Sequence, residues 1–434
     1  MKKSLLALAA LSAIAGAAQA QSSVTVYGIL DVGYVGGNSR VGSSANTTQT
    51  NGTVKNTANE FGQSAEQTSR LGFKGTEDLG GGLSAFFTAE FQLYPEDNAV
   101  SGNTNNGLLN RQTFVGLKKN GVGQFAVGTQ YTPVFNAGAV TSPGQYNNII
   151  GDVIYASSSG LTSTTSNSMG TGQSGNGAGY TNRTSSTLSV ASDKFAGFSA
   201  NAMLTLNNKN TTEVSTPSTG VVASGGSTNA SGWGLGADYT LNKFYINAAY
   251  QSLKQLTSVG NNAVSTVAGN LPVQWTQAQA NGALVAGQAS STSPTTANNV
   301  TDNQFIAGTT YDFGILKAYA QYASRKVTAT ASSNYFLKRS AEQIGVRSYI
   351  TPTIEAWASA GLGRYTEFGQ GNNTVNFNGW QLGSNYWLSK RTNLYAIYGQ
   401  TLTSTGTVVP ASTGVATTVS SSANNYAVGV RHTF

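Results

Sequence analysis

The chain has 434 residues, of which only 9% are charged, with 24 Lys and Arg against 17 Asp and Glu. Cys is absent and His432 is the single histidine, which excludes disulfides, thiolate nucleophiles and any cysteine- or histidine-cluster metal centre. Gly numbers 52 and aromatic residues reach 10%, a composition unlike that of a charge-rich disordered chain.

The first residues read as an export signal. Lys2 and Lys3 precede an apolar run from Leu5 to Ala18, and Ala18-Gln19-Ala20 has the small-x-small form of a cleavage site. Residues 1–20 are expected to be the signal peptide and 21–434 the exported body. No later stretch approaches the ~18 consecutive apolar residues of a spanning helix. Two destinations remain, a secreted β-protein or an outer-membrane barrel.

Beyond residue 22 apolar and polar residues alternate with period two, the signature of strands with one apolar face. Leu83, Ala85, Phe87, Ala89 and Phe91 alternate with Ser84, Thr88, Glu90 and Gln92; Ile354, Ala356, Ala358 and Ala360 alternate with Glu355, Trp357 and Ser359. The pattern predicts sixteen strands, starting near residues 23, 66, 83, 110, 123, 181, 198, 232, 244, 302, 316, 339, 353, 377, 392 and 423. Short turns, such as Asp78–Gly82, Leu241–Lys243 and Leu388–Arg391, alternate with long polar loops. The loops cover about 36–63, 94–109, 132–180, 208–231, 254–301, 327–338, 366–376 and 403–422. Such alternation describes an all-β, antiparallel transmembrane barrel in an outer membrane. The even strand number puts both termini on the periplasmic side. A β-solenoid of similar composition would show a fixed repeat, and none is present.

Charge placement agrees. Arg70 and Lys74 alternate with Leu71 and Phe73, while Lys317, Gln321 and Arg325 oppose Ala318, Ala320 and Tyr322. Strand charges thus stay off the lipid row, where Arg or Lys near the midplane costs about 2–4 kcal/mol. Arg364 falls on the apolar row at the loop end of its strand, from which it can snorkel to head groups.

Four stretches carry a family resemblance: Val24 to Asp31 (VTVYGILD), Ser69 to Leu83 (SRLGFKGTEDLGGGL), Gly383 to Tyr395 (GSNYWLSKRTNLY) and Tyr426 to Phe434 (YAVGVRHTF). With Tyr311-Asp-Phe-Gly314 and Asn110-Arg-Gln112, they make the whole exported body resemble the trimeric general porins of β-proteobacteria, the neisserial and comamonad type. The resemblance implies a 16-stranded barrel, a homotrimer, and passive diffusion of small hydrophilic solutes and ions through a water-filled pore. It also implies outer-membrane lipid, lipopolysaccharide and the barrel-assembly machinery as partners. No cofactor, metal or nucleic acid is expected. The rival reading is a substrate-specific channel, for phosphate or organic anions, with a saturable site.

At the C-terminus Tyr426, Val428, Val430, His432 and Phe434 form one alternating row that stops at the chain end, resembling the signal read by the assembly machinery. His432 lies within this row, which removes it from catalysis. Gly170-Thr-Gly-Gln-Ser-Gly175 matches G-x-G-x-x-G but follows a Ser/Thr tract and opens no helix, so it carries no nucleotide site. The carboxylate pairs Glu77-Asp78 and Glu96-Asp97 fall in a turn and a loop and read as solvated charge rather than glycosidase acids. The expectation is that the protein is not an enzyme.

In the resembled family the third loop folds into the barrel and narrows it, and here that loop is 132–180. Asp152 is its only acidic residue, and Ile149, Ile150, Val153 and Ile154 around it predict an anchored loop. Arg70, Lys74 and Arg183 are the basic candidates for the opposite wall, joined by Arg111 through the Asn-Arg-Gln resemblance. The parity of Arg111 is ambiguous, because Phe114 and Val115 fall on different rows. Glu90 and Asp31 are the inward acids, so a small basic excess and an anion preference are expected. Gly128-Thr129-Gln130 departs from the family, which often has Arg after this Gly, and this weakens the basic ladder.

Overall fold

The computed structural model describes residues 23–43, 52–97, 100–101, 107–156, 179–210, 213–215, 222–224, 227–258, 300–329, 336–368, 374–408 and 417–434. The segment 1–20, the glycine motif at 170–175 and most of 254–301 lie outside them. Strands β1 (Ser23–Ser43), β2 (Gly52–Gln63), β3 (Arg70–Gly80), β4 (Leu83–Gln92), β5 (Leu109–Lys119) and β6 (Gly123–Tyr131) lead to helix α1 (Pro133–Val140). There follow β7 (Arg183–Ser192), β8 (Phe198–Asn210), a small ribbon of β9 (Glu213–Ser215) and β10 (Val222–Ser224), β11 (Ser227–Leu241) and β12 (Phe244–Ser258). The last seven are β13 (Val300–Asp312), β14 (Lys317–Ala329), β15 (Phe336–Tyr349), β16 (Ile354–Phe368), β17 (Thr374–Trp387), β18 (Thr392–Val408) and β19 (Thr417–Thr433).

Every strand of the main sheet pairs antiparallel with its neighbours, and the ends meet. β19 lies against β1 with Ile29 opposite Thr433 and Val35 opposite Ala427. The final residue takes part: Phe434 N donates to Gly28 O and Gly28 N to Phe434 O, both at 3.1 Å. β2 and β3 flank β1 end to end and act as one interrupted strand, so the closed sheet is a barrel of sixteen. Closure leaves no unpaired edge, the condition for placing a sheet in hydrocarbon.

The two rows of each strand separate by polarity. Leu30 and Tyr34 on β1, Ile344 and Val346 on β15, Leu362 on β16 and Val428 on β19 are exposed on the outer row. Asp31, Gln343, Ser359, Gln381, Asn393 and Arg431 are buried on the inner row. At the β3–β4 turn three consecutive glycines, Gly80, Gly81 and Gly82, all have positive φ (85°, 61° and 76°), which side-chain-bearing residues rarely adopt.

Strand lengths depart from the sequence pattern in a regular way. The stretch 36–63, expected as one loop, is mostly ladder, since β1 continues to Ser43 and meets the returning β2 at Gly52. Likewise β18 runs to Val408 and β19 starts at Thr417, inside the expected loop 403–422. Apolar alternation ends where hydrocarbon ends, whereas backbone pairing needs no apolar side chain and Ser, Thr and Asn sustain it into water. The second strand is also not the single run expected from residue 66. It breaks between Gln63 and Arg70, where two residues of β1 face the whole excursion 64–69.

Ile344 is 68% exposed on the outer row, well inside β15. Ile344→Lys should therefore lower the stability of the protein refolded into vesicles by about 2–4 kcal/mol. Urea titration measures this, and an unchanged midpoint would mean that this row does not face lipid.

Candidate functional site

The connection after β6 begins with a capped helix. Thr132 Oγ1 accepts from Phe135 N at 3.2 Å, and Pro133 occupies the first turn, where a missing N–H costs nothing. Thr141 ends the helix, its hydroxyl donating back to Ala137 O at 3.2 Å. Residues 142–156 then run as irregular backbone that is almost wholly buried.

Irregular buried backbone must find hydrogen-bond partners, and here inner-row side chains supply them. Asn247 Nδ2 donates to Ala137 O at 2.7 Å, and Gln321 Nε2 to Gly138 O at 2.8 Å. Arg347 Nη1 donates to Pro143 O at 2.9 Å, and Arg339 Nη2 to Val153 O at 2.5 Å. Gln381 Nε2 reaches Ile149 O at 2.5 Å and Ile150 O at 2.9 Å, while Gln343 Oε1 accepts from Val153 N at 2.9 Å. From the other side of the barrel, Asn148 Nδ2 donates to Ser64 O at 2.7 Å, and Asn148 N to Ala65 O at 2.9 Å. The backbone passes so close to β17 that a Cβ on Gly379 would lie 2.6 Å from Gly151 O.

Apolar packing accompanies these bonds. Val134, Tyr146, Val153, Ile154 and Tyr155 pack with Ala249, Ile306, Ala323 and Ala341 of the wall. Ile149 packs in a second cluster with Trp357 and Ile397. The four apolar residues flagged around Asp152 are thus all buried.

The structure brings Arg70 and Arg111 to Glu90, with Arg183 beside them on the Tyr131 ring. Arg111 Nε is 2.8 Å from Glu90 Oε1, and Arg70 Nη1 is 4.0 Å from Glu90 Oε2. Tyr27 donates to the same carboxylate at 3.2 Å, and Arg111 Nη2 donates to Tyr131 Oη at 2.8 Å. The Arg183 guanidinium lies 5.7 Å from the Tyr131 ring centre. Tyr131 stacks on Phe135, and Tyr146 on Tyr155, each with centroids 4.1 Å apart, so the arginines adjoin an aromatic wall built by the connection. The ambiguous parity of Arg111 has a cause. The β4–β5 ladder shifts there, Glu90 facing Gln112 and Phe91 facing Asn110, so Arg111 is the extra residue of a bulge that turns it inward.

The other predicted residues lie apart. Lys74 shares the inner row but stays exposed, its ammonium 5.4 Å from the Tyr27 ring centre. Asp31 is fully buried and organises the break in the second strand, accepting from Glu66 N at 2.9 Å and Gln67 N at 2.6 Å. Tyr395 Oη donates to its other oxygen at 2.6 Å. Asp152 accepts from Ile154 N and Tyr155 N, both at 2.8 Å, and from the Ser142 hydroxyl at 3.4 Å. Burial pushes its carboxyl above the usual aspartate range, against the lowering effect of those amides. Both acids are tied to backbone rather than set against the arginine wall. In the C-terminal row Tyr426, Val428 and Phe434 are exposed outward with His432, while Val430 is half-buried. Thr392 Oγ1 is 2.9 Å from His432 Nδ1.

Beyond placing Arg325 on a polar row, sequence reasoning did not single out a second set of inner-wall charges. Asp302 and Arg325 pair at 2.6 Å, both with no exposure, and Arg347 pairs with Glu355. Arg431 lies 3.4 Å from Glu66, which also accepts from Asn393 at 2.9 Å. Inward parity on their strands was the available signal. Their partners on neighbouring strands were not readable.

Residues 7–406 match the model of the family described as Gram-negative porin. The chain is 47% identical over 108 residues to Outer membrane porin protein 32 of Delftia acidovorans, covering 24% of this chain and 25% of that one. It is 37% identical over 156 residues to Major outer membrane protein P.IB of Neisseria gonorrhoeae, covering 36% and 39%. The alignments thus span between a quarter and two-fifths of these relatives' lengths. Among solved structures, the anion-selective porin from Comamonas acidovorans has a TM-score of 0.57 at 20% identity, covering 95% of this chain and all of that one. The trimer form of OmpT from Vibrio cholerae has a TM-score of 0.53 at 14% identity, covering 95% and 99%.

Gln381 donates two of the bonds that fix 142–156, each worth about 0.5–1.5 kcal/mol. Gln381→Leu should expose Tyr146 or Tyr155 to chymotrypsin in detergent while the barrel keeps its β-rich spectrum. Protection equal to the parent's would show that the segment is held without this side chain.

Proposed function

We propose, starting from the fact that the chain belongs to the Gram-negative porin family, that it forms a water-filled channel for passive diffusion of small hydrophilic solutes and ions, with a preference for anions. In this reading the connection after β6, through its described residues 132–156, is the constriction and the Arg70–Arg111–Arg183 wall its selective element. The observation that carries the anion preference is charge accounting. Arg325, Arg347 and Arg431 each have a carboxylate partner of their own, whereas Arg70 and Arg111 share the one carboxylate of Glu90. A small cationic excess at a narrow point with low-dielectric walls acts on passing ions far more than charges on exposed loops, which are screened within ~8 Å. Such an excess favours chloride over potassium without excluding either. In this reading the protein works as a homotrimer in the outer membrane, needs no cofactor and performs no catalysis.

A substrate-specific channel has one observation in its favour, the paired aromatic stacks beside the arginines, which could receive the ring of an organic anion. Single-channel recording separates the two readings. Linear conductance in salt supports the general pore, and block by micromolar organic anion or phosphate supports the specific one.

Reversal potentials in a potassium chloride gradient should indicate chloride preference. Arg70→Gln with Arg183→Gln should bring them toward zero while the oligomer band on an unboiled gel persists. An unchanged reversal potential in the double variant would remove these arginines from selectivity.

A further inference from the structure

Asp31 is fully buried, and among the described residues no cation lies within ion-pair distance of its carboxylate. Its oxygens are taken up by neutral donors instead: Glu66 N and Gln67 N on Oδ2, and the Tyr395 hydroxyl on Oδ1. Tyr395 reaches it across β19 at Gly429, where a Cβ would lie 2.4 Å from the phenol oxygen. The backbone of Asp31 is used as well. Ser64 N donates to Asp31 O at 2.8 Å, and Asp31 N donates to Ser69 Oγ at 3.0 Å. One residue of β1 therefore holds the start, the middle and the end of the excursion 64–69. The excursion needs holding, since it opens on Ser64 at a φ of 62°, which a side-chain-bearing residue keeps only where its surroundings fix it.

The excursion in turn meets both parts of the site. On one side it receives the connection after β6. Asn148 Nδ2 donates to Ser64 O at 2.7 Å and to Thr68 Oγ1 at 3.2 Å, and Asn148 N donates to Ala65 O. Ala65 also packs with Ile149 and Tyr395. On the other side Thr68 O accepts from Arg70 Nε at 2.8 Å. The Arg70–Glu90 approach of 4.0 Å is longer than a hydrogen bond, so the Thr68 carbonyl is what aims this guanidinium.

We infer that Asp31 is a positioning residue for the channel: it shapes the excursion 64–69, which fixes the connection through Asn148 and Arg70 through the Thr68 carbonyl. The inference rests on the channel reading above and names a residue that sets width and selectivity without facing the ions. What Asp31 contributes is acceptor geometry rather than charge in the lumen.

Two substitutions separate geometry from charge. Asp31→Asn loses the charge but keeps an oxygen for the two amides, and its N–H groups can donate to Tyr395 Oη. Asp31→Ala loses charge and acceptors together, so the difference between the two variants reads position alone. In single-channel recordings Asp31→Ala should conduct more than Asp31→Asn. Its reversal potential in a potassium chloride gradient should lie nearer zero, because a wider narrowing with a loosened Arg70 focuses less field. Equal conductance and equal reversal potentials in the two variants would overturn the positioning role and make Asp31 an ordinary pore charge.

Chymotrypsin in detergent reads the same geometry without conduction. The connection should be cut in Asp31→Ala and protected in Asp31→Asn, so this arm still decides the role of Asp31 if the channel reading fails. Asn148→Ala serves should Asp31→Ala not fold, since it leaves every Asp31 contact in place. It should raise conductance and admit chymotrypsin while shifting the reversal potential less, Arg70 keeping its Thr68 carbonyl. Protection and conductance equal to the parent's in Asn148→Ala would overturn the link between excursion and connection.

Discussion

Hydrocarbon offers the peptide group no hydrogen-bond partner, and most of this structure follows from that constraint. A sheet crossing a bilayer must satisfy its N–H and C=O groups internally, which requires closure. Closure here depends on the last residue, since Phe434 pairs with Gly28 at the seam between β19 and β1. Once the sheet is closed, period-two alternation has only one stable outcome. Apolar side chains face lipid and polar ones face the interior.

The inner row then acquires a task unrelated to solvation. It receives a stretch of irregular backbone whose carbonyls would otherwise be stranded. Asn247, Gln321, Gln343, Arg347 and Gln381 are spread over four strands, the first two bonding the end of α1 and the other three the irregular stretch after it. A barrel interior built from Leu and Val would pack the segment but leave its peptide groups unsatisfied, at a cost of about 1–3 kcal/mol each. Polarity inside the barrel is therefore part of how the segment is held.

Buried charge is managed by the same logic. Removing one partner of a buried ion pair is costlier than never having built it, and three of the inner-wall arginines each face a carboxylate. The Arg70–Arg111–Arg183 group stands out because two guanidiniums meet one carboxylate and the third lies on the adjoining Tyr131 ring, with Tyr27 and Tyr131 hydroxyls sharing the hydrogen bonding. Phe135, Tyr146 and Tyr155, which stack beside it, come from the same connection that is clamped to the far wall. Clamping of the connection and the electrostatics beside it are thus one construction.

Much of the barrel was legible in the sequence because alternation is local. It needs only neighbouring residues and the presence of lipid on one side. Strand number, the polar parity of Arg70, Glu90 and Arg183, and the apolar anchor around Asp152 all come from such short-range pattern. What the sequence could not show depends on partners far along the chain. Asp31 reads as one more inward acid, yet its carboxylate holds the backbone of Glu66 and Gln67 and accepts from Tyr395, 364 residues away. The inward turn of Arg111 needed the bulge between β4 and β5, which no period reveals. The pairs Arg325–Asp302 and Arg431–Glu66 needed the register between strands. Sequence by itself determined which face each strand residue prefers, because that preference is set by lipid against water. Only the tertiary structure decided which inner-facing groups meet, because that is set by register, bulges and the path of one connection across the barrel.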